Sequence, residues 1–400
     1  MEPNFDYLIT GGGCAGLSMA LQLKQAFGDE IRILVVDRVQ KDQNDRSWAF
    51  WSREDLPLGL SKIVEKSWQH LEFKADGWDK AVPIAPYTYY FIRGIDYYRY
   101  MNEQLALCKN VFFLQAEVGA VAEDGAGPYA VVDGKRYYAR WVFDSRPKVD
   151  IQHLQQAGSY FMWQHFRGWR VRTEVPCFTP ECPTLMDFSR NQDGHPTFFY
   201  VLPYSATEAL VEYTVFSTTL LPLQAYEDQL TDYLAALPGS PAYTIEEKEY
   251  GKIPMTNANL ADNRWPHVRS IGTAGNAAKP TTGYAFLNIH RQVATMVEAL
   301  AKDNWIPEVK KATGRLAWYD DLLLHILSHQ PAQGAAIFTA LFKNQPFDRI
   351  LRFLQEDTHL GEEFLIFKSL PISYFLAAAF RHPYKKQGAL AWPAPLSTLP

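Results

Sequence analysis

The stretch DYLITGGGCAG at residues 6–16 decides the fold that the sequence predicts. It holds an apolar strand followed by Gly11, Gly13 and Gly16 in the spacing G-x-G-x-x-G, and a helix is predicted over 15–26. This spacing lets the backbone turn sharply, approach a pyrophosphate and pack the helix on the sheet, with the helix N-terminus towards the phosphates. The chain is therefore predicted to begin with a dinucleotide-binding unit.

A second apolar strand, ILVVD at residues 33–37, ends in an acid at the distance such a unit requires. Asp37 follows the glycine turn by about 20 residues, the spacing of the acid that binds a ribose diol. The alternative is a glycine turn with a purely structural role. The position of the turn, between a strand and a helix and followed by Asp37, favours the nucleotide site.

Length and composition favour a multidomain protein that acts on a small molecule. The 400 residues carry a net charge of −5, are 47% hydrophobic and show no long run of one charge sign, so no nucleic-acid partner is expected. The four cysteines lack the paired spacing of a zinc site, which predicts no metal and reduced thiols in a cytosolic protein. No signal peptide is expected. The 14% of aromatic residues suit either ordinary cores or a cavity for a large apolar ligand.

The order of the predicted elements indicates an α/β fold with a Rossmann-type nucleotide domain that is split in sequence. Its first part is predicted at 1–150 and its second part at 251–305. Antiparallel strands predict a substrate-binding domain at 151–250, and residues 306–400 are predicted to form a C-terminal helical region. The segment SWAFW at 47–51 is predicted to be a loop over the cofactor.

The C-terminal region contains an apolar segment with two interpretations. No predicted helix there has 18 uninterrupted apolar residues, so a membrane span is not supported. Residues 372–380 are mostly apolar and are followed by Arg381, His382, Lys385 and Lys386. The segment either packs into the core or lies in a membrane interface without crossing it.

A series of motifs between residues 5 and 300 resembles the carotenoid lycopene cyclases. The motifs are GGGCAGLS, DRSWAFW, FDSRP, QHFRGW, MDFSR, ALVEYTVFS, GKIPM and IGTAGNAAKPTTGY, in this order. Each motif is short, and their shared order carries the resemblance. The family belongs to a wider class of flavoproteins that includes aromatic hydroxylases and geranylgeranyl reductases.

The resemblance implies that FAD is the cofactor. It assigns cofactor contacts to Gly11, Gly13, Gly16, Asp37, Gly272, Thr273, Gly275, Thr282 and Gly283. Many flavoproteins of the wider class have an acid for the ribityl chain of FAD where this chain has Thr273. The hydroxyl group of Thr273 is expected to take over this contact. The family chemistry implies reduced FAD, and NAD(P)H is expected as an external reductant because no second G-x-G-x-x-G is present.

Glu212, in the strand ALVEYTVFS, is predicted to be the catalytic acid. Strand alternation places it on the same face as Leu210, Thr214 and Phe216, where burial would keep its carboxyl group protonated. From the sequence pattern alone, the alternative is a glutamate on the wet face of a half-exposed strand. The resemblance favours the role of catalytic acid for Glu212. Related enzymes often have a second acid directly after this glutamate, whereas this chain has Tyr213.

Further site residues rest on position alone. Asp187 matches a second acidic position of the family and is predicted to orient the substrate or the cofactor, with a local backbone hydrogen bond as the alternative. Trp163, Phe166 and Tyr284 are predicted to stabilise a cation through their ring faces, or to be ordinary core residues.

The resemblance predicts an enzyme that forms β-ionone rings on lycopene or a related linear carotenoid, without net redox change. The alternatives are an FAD-dependent prenyl reductase or hydroxylase of the same fold, and a non-catalytic lipid-binding escort protein. A polyene substrate dissolves in membranes, so a cytoplasmic protein at the membrane surface is expected. Ring type, the number of rings per substrate and oligomeric state stay open.

Overall fold

The computed structural model describes residues 5–381, without the side chains at positions 153, 155 and 156. The strands in this part of the chain are β1 (Phe5–Thr10), β2 (Ile33–Asp37), β3 (Ser47–Ser52), β4 (Lys66–Trp68), β5 (His70–Ala75), β6 (Trp78–Pro83), β7 (Thr88–Arg93), β8 (Val111–Gln115), β9 (Val118–Asp124), β10 (Gly127–Val132), β11 (Lys135–Asp144), β12 (Phe161–Thr173), β13 (Thr184–Phe188), β14 (Thr197–Pro203), β15 (Glu208–Ser217), β16 (Tyr243–Thr256) and β17 (Val268–Ser270). The helices are α1 (Cys14–Phe27), α2 (Gly94–Ala106), α3 (Ile151–Gln156), α4 (Leu223–Ala235), α5 (Phe286–Asp303), α6 (Arg315–His329), α7 (Gly334–Asn344), α8 (Phe347–Leu354), α9 (Leu360–Ser369) and α10 (Ile372–Arg381).

The nucleotide domain is built on a parallel sheet in the order β8-β2-β1-β11-β17. This is the strand order of a Rossmann fold, in which the cofactor binds where the order reverses, between β1 and β11. The predicted α/β fold is confirmed, and β17 returns the chain to this sheet after the second domain. The antiparallel strands β9 and β10 extend from β11.

The second domain is a seven-stranded sheet in the order β16-β12-β15-β14-β13-β5-β6. Neighbouring strands are antiparallel except for β13 and β5. Helix α4 packs on one face, where Val211 and Tyr213 of β15 meet Leu230. The other face, with Leu210 and Phe216 of the same strand, is covered by α6 to α9 and by aromatic residues of a small sheet ordered β3-β7-β4. Both faces are covered, so all of β15 is buried.

Three features differ from the sequence predictions. Strands β5 and β6 lie within the first 150 residues but belong to the second sheet, so the predicted division at residue 150 misses them. The segment 47–51, predicted to be a loop, forms most of β3 and pairs with β7. Strand β16 also extends the second sheet to Thr256, beyond the predicted boundary at 250.

Hydrogen bonds and ion pairs join the C-terminal helices to the loop that precedes α5. Lys279 donates from Nζ to Asp320 Oδ2 at 2.9 Å and to Glu356 Oε1 at 2.8 Å, and Thr281 donates to Asp320 Oδ1 at 2.6 Å. This buried cluster joins the loop to α6 and to the turn after α8. The predicted region 306–400 is described only to residue 381, so His382, Lys385 and Lys386 of the expected interfacial segment lie outside the described residues.

Candidate active site

The glycine turn after β1 has the geometry that a bound diphosphate requires. Gly11 has φ +101°, and a Cβ atom on Gly16 would lie 1.9 Å from the Gly11 carbonyl oxygen, so both positions need glycine. A Cβ atom on Gly13 would meet no atom within 4 Å. The first turn of α1 carries no side-chain cap. Open space therefore lies in front of uncapped backbone N–H groups, which is a cradle for an anion.

Asp37 lies at the end of β2, beside this turn. The Gly12 N–H donates to Asp37 Oδ2 at 2.6 Å, and the Val39 N–H donates to Asp37 Oδ1 at 2.9 Å. These two bonds fix the carboxylate next to the glycines, and each oxygen keeps further acceptor capacity. The placement fits an acid that holds a ribose diol, as the sequence predicted.

The second turn that is predicted to contact the cofactor packs directly against the start of α1. The turn Gly272–Gly275 lies between β17 and α5, and Gly272 has φ +65° with Ala15 so close that an added Cβ would lie 2.7 Å from the Ala15 Cβ. The side chain of Gln292 accepts from Gly272 N at 2.8 Å and donates to Gly275 O at 2.5 Å. Thr273 lies between these glycines and is half-buried. The structure thus brings the turn that contains Thr273 against the start of α1.

Thr282 and Gly283 lie where the nucleotide domain meets the second sheet. Gly283 has φ +70°, and a Cβ atom there would lie 2.6 Å from Gln164 Oε1 on β12. This buried Gln164 oxygen has no hydrogen-bond partner among the described residues. An unpaired buried acceptor beside a glycine loop fits a site where a ligand supplies the missing donor.

Glu212 lies on the face of the second sheet that the sequence predicted. Its side chain is 8% exposed and shares that face with Leu210 and Phe216, which belong to the large aromatic core. Burial, followed by the neighbouring Glu249 carboxylate, raises the pKa of Glu212 well above its ordinary value. The alternative of a glutamate on a wet face is wrong, because β15 has no exposed face.

Glu249 forms a second acid beside Glu212, and the sequence prediction missed it. Gly168 on β12 is the register partner of Glu212 on one side and of Glu249 on the other. A Cβ atom on Gly168 would lie 2.9 Å from the Cγ atoms of both glutamates. Burial raises the pKa of Glu249 to about 7, although Ser47 Oγ donates to its Oε2 at 2.8 Å and lowers the pKa. The chain therefore has a carboxyl pair across strands, although it has none at adjacent positions.

Aromatic side chains border Glu212. Tyr200 is the register partner of Glu212 on β14, and its hydroxyl lies 2.5 Å from that of Tyr89. Tyr284 interacts with the Tyr89 hydroxyl, and its ring contacts Trp51 with 4.3 Å between centroids. Desolvation raises the pKa of Tyr284 to about 12, so it stays neutral at pH 7. The site therefore offers ring faces and neutral hydroxyl groups.

The remaining predicted aromatic residues divide between the two faces. The ring of Phe166 lies over Gly251 on the face of Glu212, so close that a Cβ on Gly251 would be 2.2 Å from Phe166 Cζ. Trp163 alternates to the opposite face, where Lys252 Nζ lies 5.2 Å from its ring centroid. The prediction that Trp163 faces the reacting cation is therefore wrong.

Asp187 also lies apart from Glu212, on the face covered by α4. Its Oδ2 accepts from the Tyr233 hydroxyl at 3.0 Å and its Oδ1 accepts from the Ser189 N–H at 2.9 Å. A bulge in β13 turns the side chain towards Tyr233 of α4. The prediction that Asp187 orients substrate or cofactor is therefore corrected to the alternative, a carboxylate that holds local structure.

No group of three or more His, Cys, Asp or Glu side chains that could hold a metal ion is found among the described residues. The site therefore consists of a nucleotide cradle, an acid pair and aromatic walls. These parts come from β1–α1, from the segment before α5 and from the second sheet.

Comparison with known proteins gives matches over most of the chain. A family model described as "Lycopene cyclase protein" matches residues 6–379. A lycopene beta-cyclase of Pantoea ananas is 28% identical over 315 residues, which cover 75% of each chain. A lycopene beta-cyclase of Pseudescherichia vulneris is 26% identical over 290 residues, which cover 70% of each chain. In fold, the chain is similar to the flavin-dependent brominase Bmp2, with a TM-score of 0.59, 12% identity and coverage of 88% of this chain and 93% of that chain.

Proposed function

Because the chain belongs to the lycopene cyclase family, as its motifs predicted, we propose that it forms β-ionone rings at the ends of lycopene or a related linear carotenoid. The observation that carries this proposal is Glu212, a buried carboxyl group whose raised pKa keeps it protonated beside an aromatic wall. A protonated acid in an apolar site is the group that a cation-forming cyclisation needs.

Ring closure in this site begins with proton transfer from Glu212. The proton adds to the terminal double bond of the polyene and leaves a tertiary cation. The neighbouring double bond attacks that cation and closes a six-membered ring, and loss of a proton restores neutrality. Tyr200, Tyr284 and Phe166 lie on the side where the cation develops, and their ring faces stabilise positive charge.

The proposed cofactor is FAD in its reduced form. Gly11, Gly13 and Gly16 would hold its diphosphate and Asp37 its ribose, with Gly272, Thr273, Gly275, Thr282 and Gly283 along the rest of the molecule. When bound, reduced FAD supplies a negative charge near the developing cation. A nicotinamide reductant from outside the chain is proposed to keep it reduced.

The reaction is tested by product analysis. Coexpression with a lycopene-producing pathway should shift the pigment colour, because ring closure shortens the coplanar conjugated system. In heavy water with reduced FAD, the purified enzyme should add one deuteron per ring and no hydride. A product two hydrogens heavier than its substrate would instead identify a prenyl reductase, and unchanged lycopene would leave only the escort protein.

A further part of the proposal is peripheral contact with the membrane that contains the substrate. Helices α9 and α10 carry the exposed apolar side chains Leu360, Phe364, Leu365, Ile372, Leu376 and Phe380. On the inner side of α9, Ile366 is buried in the core that contains Leu210 and Phe216. Helix α9 thus connects this apolar surface to the face of Glu212.

Neither helix is proposed to cross the bilayer. Among the described helices no single one is long and apolar enough for a span, and α9 and α10 pass such a test only as a pair bent by 115°. An apolar surface on two short helices fits insertion into the interface between headgroups and acyl chains.

Replacing Phe364 and Phe380 by Glu should weaken binding to liposomes. These side chains are 68% and 88% exposed, so the substitutions remove little folding energy. Each lost Phe anchor is worth about 1.5–3 kcal/mol, or roughly tenfold or more in the partition coefficient. Vesicle sedimentation measures the effect. Leu107→Glu is the control, since Leu107 is 81% exposed on the nucleotide domain. Equal binding by the double variant and the wild type would contradict the proposal.

A further inference from the structure

The acid pair stands out because its members differ in their surroundings. The side chains of Glu212 and Glu249 extend over Gly168 from the two neighbouring strands. A Cβ atom on Gly168 would lie 3.1 Å from Glu249 Oε1. Glu212 is bordered by Tyr200 and Leu210. Two buried carboxylates this close resist simultaneous ionisation, so the pair retains a proton that one carboxyl group alone would lose.

Glu249 borders a cavity on the side of Ser47. Ser47 donates to Glu249 Oε2 at 2.8 Å, and Asn44 donates to Glu247 Oε2 at 2.7 Å. Together with Arg93 and Arg170, these side chains form the polar part of its lining, and Phe91, Tyr204 and Leu210 form the rest. Glu247, which also lines it, has a side chain that is 38% exposed. Polar groups therefore lead from Glu249 towards solvent.

We propose that Glu249 is a proton-relay residue that acts through Glu212, exchanging a proton with it over Gly168 and with solvent through the Ser47 side. This inference rests on the proposed cyclisation, in which Glu212 is the acid. Glu249 would supply the second carboxyl group that related enzymes often have directly after the glutamate, where this chain has Tyr213.

The relay balances the proton count of each ring closure. The O–H bond of Glu212 breaks and a C–H bond forms at the polyene, which leaves two adjacent carboxylates. This dianion attracts the cation and is a strong base. A C–H bond of the closed ring then breaks, its electrons form the ring double bond, and the proton returns to the pair. Glu249 exchanges that proton with solvent and resets Glu212 for the next ring.

The charges around Glu249 define the pH effect that the relay should have. The ionisable groups that face Glu249 or line its cavity are Glu212 on β15, Glu247 and Lys248 on its own strand, Arg170 on β12, Tyr204 after β14, Arg93 on β7, and Asp45 and Arg46 before β3. Removing the Glu249 carboxylate removes a charge that raises the pKa of Glu212, so Glu212 should lose its proton at lower pH.

The test is Glu249→Gln in the full-length enzyme with reduced FAD and lycopene in liposomes. Gln keeps the side-chain volume and an amide oxygen for Ser47. We expect kcat to fall by about 10- to 100-fold while KM changes less than about twofold. The alkaline limb of the pH–rate profile should move to lower pH. Glu249→Asp should recover part of the lost rate, because it restores a carboxyl group.

The matched control is Glu246→Gln, three positions before Glu249 on β16. Glu246 pairs with Arg172 on the surface at 2.6 Å, so its loss should leave kcat within about twofold of wild type. A kcat for Glu249→Gln within the same range, or a rise in KM alone, would overturn the relay. So would an unmoved alkaline limb.

A readout without turnover separates this inference from the proposed function. The infrared carbonyl band that Glu212→Gln removes belongs to protonated Glu212, and its pH midpoint can be followed in apoprotein. The midpoint should fall in Glu249→Gln and stay unchanged in Glu246→Gln. The wild-type enzyme could make no cyclic product while the pH midpoint of the Glu212 band still falls in Glu249→Gln. In that case the cyclase proposal fails and the coupling between Glu212 and Glu249 stands. An equal midpoint in Glu249→Gln and wild type overturns the pair and the relay.

Discussion

The Glu212→Gln enzyme should bind FAD and lycopene like the wild type and form rings roughly 10²- to 10⁴-fold more slowly, the range that a positioned general acid contributes. Gln has the size of Glu but cannot give up an acidic proton. The wall formed by Leu210, Phe216 and Tyr200 is unchanged by the substitution. The measurement is single-turnover conversion of lycopene with reduced FAD, followed by chromatography.

Folding stability supplies the control for this variant. The pKa of Glu212 is raised above its ordinary value of 4.5, so the native state holds the proton more tightly than the unfolded chain. Stability from this group therefore falls as pH rises above 4.5, and Gln has no such dependence. The variant should melt at a higher temperature than wild type at pH 8, and the difference should shrink towards pH 4. A stable variant with full activity would exclude Glu212 as the acid, and inactivity of both forms would favour the escort protein.

The parts of the site that the sequence predicted depend on local pattern. The glycine turn and Asp37 are separated by few elements, and strand alternation alone puts Glu212 on the face of Leu210 and Phe216. These predictions needed no knowledge of strand pairing. The same alternation puts Trp163 on the opposite face from Phe166, because the two residues are an odd number of positions apart. The sequence shows this spacing, and the prediction overlooked it.

The parts that were missed depend on pairing between distant segments. Glu249 meets Glu212 only because Gly168 is the register partner of both, across three strands of one sheet. Periodicity in β16 does not reveal that register. One signal was available in the motif QHFRGW: a glycine inside a strand often marks a close approach by other groups, and Gly168 lies in this motif. Strands β5 and β6 joined the second sheet through parallel pairing with β13, which local pattern also leaves undetermined.

The second large effect is expected at the glycine turn, where two substitutions should act differently. A Cβ on Gly16 would lie 1.9 Å from the Gly11 carbonyl oxygen, so Gly16→Ala must push α1 away from β1. We expect unfolding free energy to fall by about 3 kcal/mol, at the upper end of overpacking costs, and FAD binding to be lost with it. Thermal unfolding of the apoprotein measures the first effect.

Gly13→Ala should lose FAD affinity without losing stability. A Cβ on Gly13 meets no atom within 4 Å and its φ of −85° suits alanine, so the apoprotein should melt like wild type. The same methyl group would occupy the open space in front of α1, where the diphosphate is proposed to lie. Overpacking of about 1–3 kcal/mol corresponds to a roughly 5- to 150-fold weaker Kd for FAD, measured by flavin fluorescence. Unchanged FAD affinity in this variant would mean that the cofactor does not bind against the N-terminus of α1.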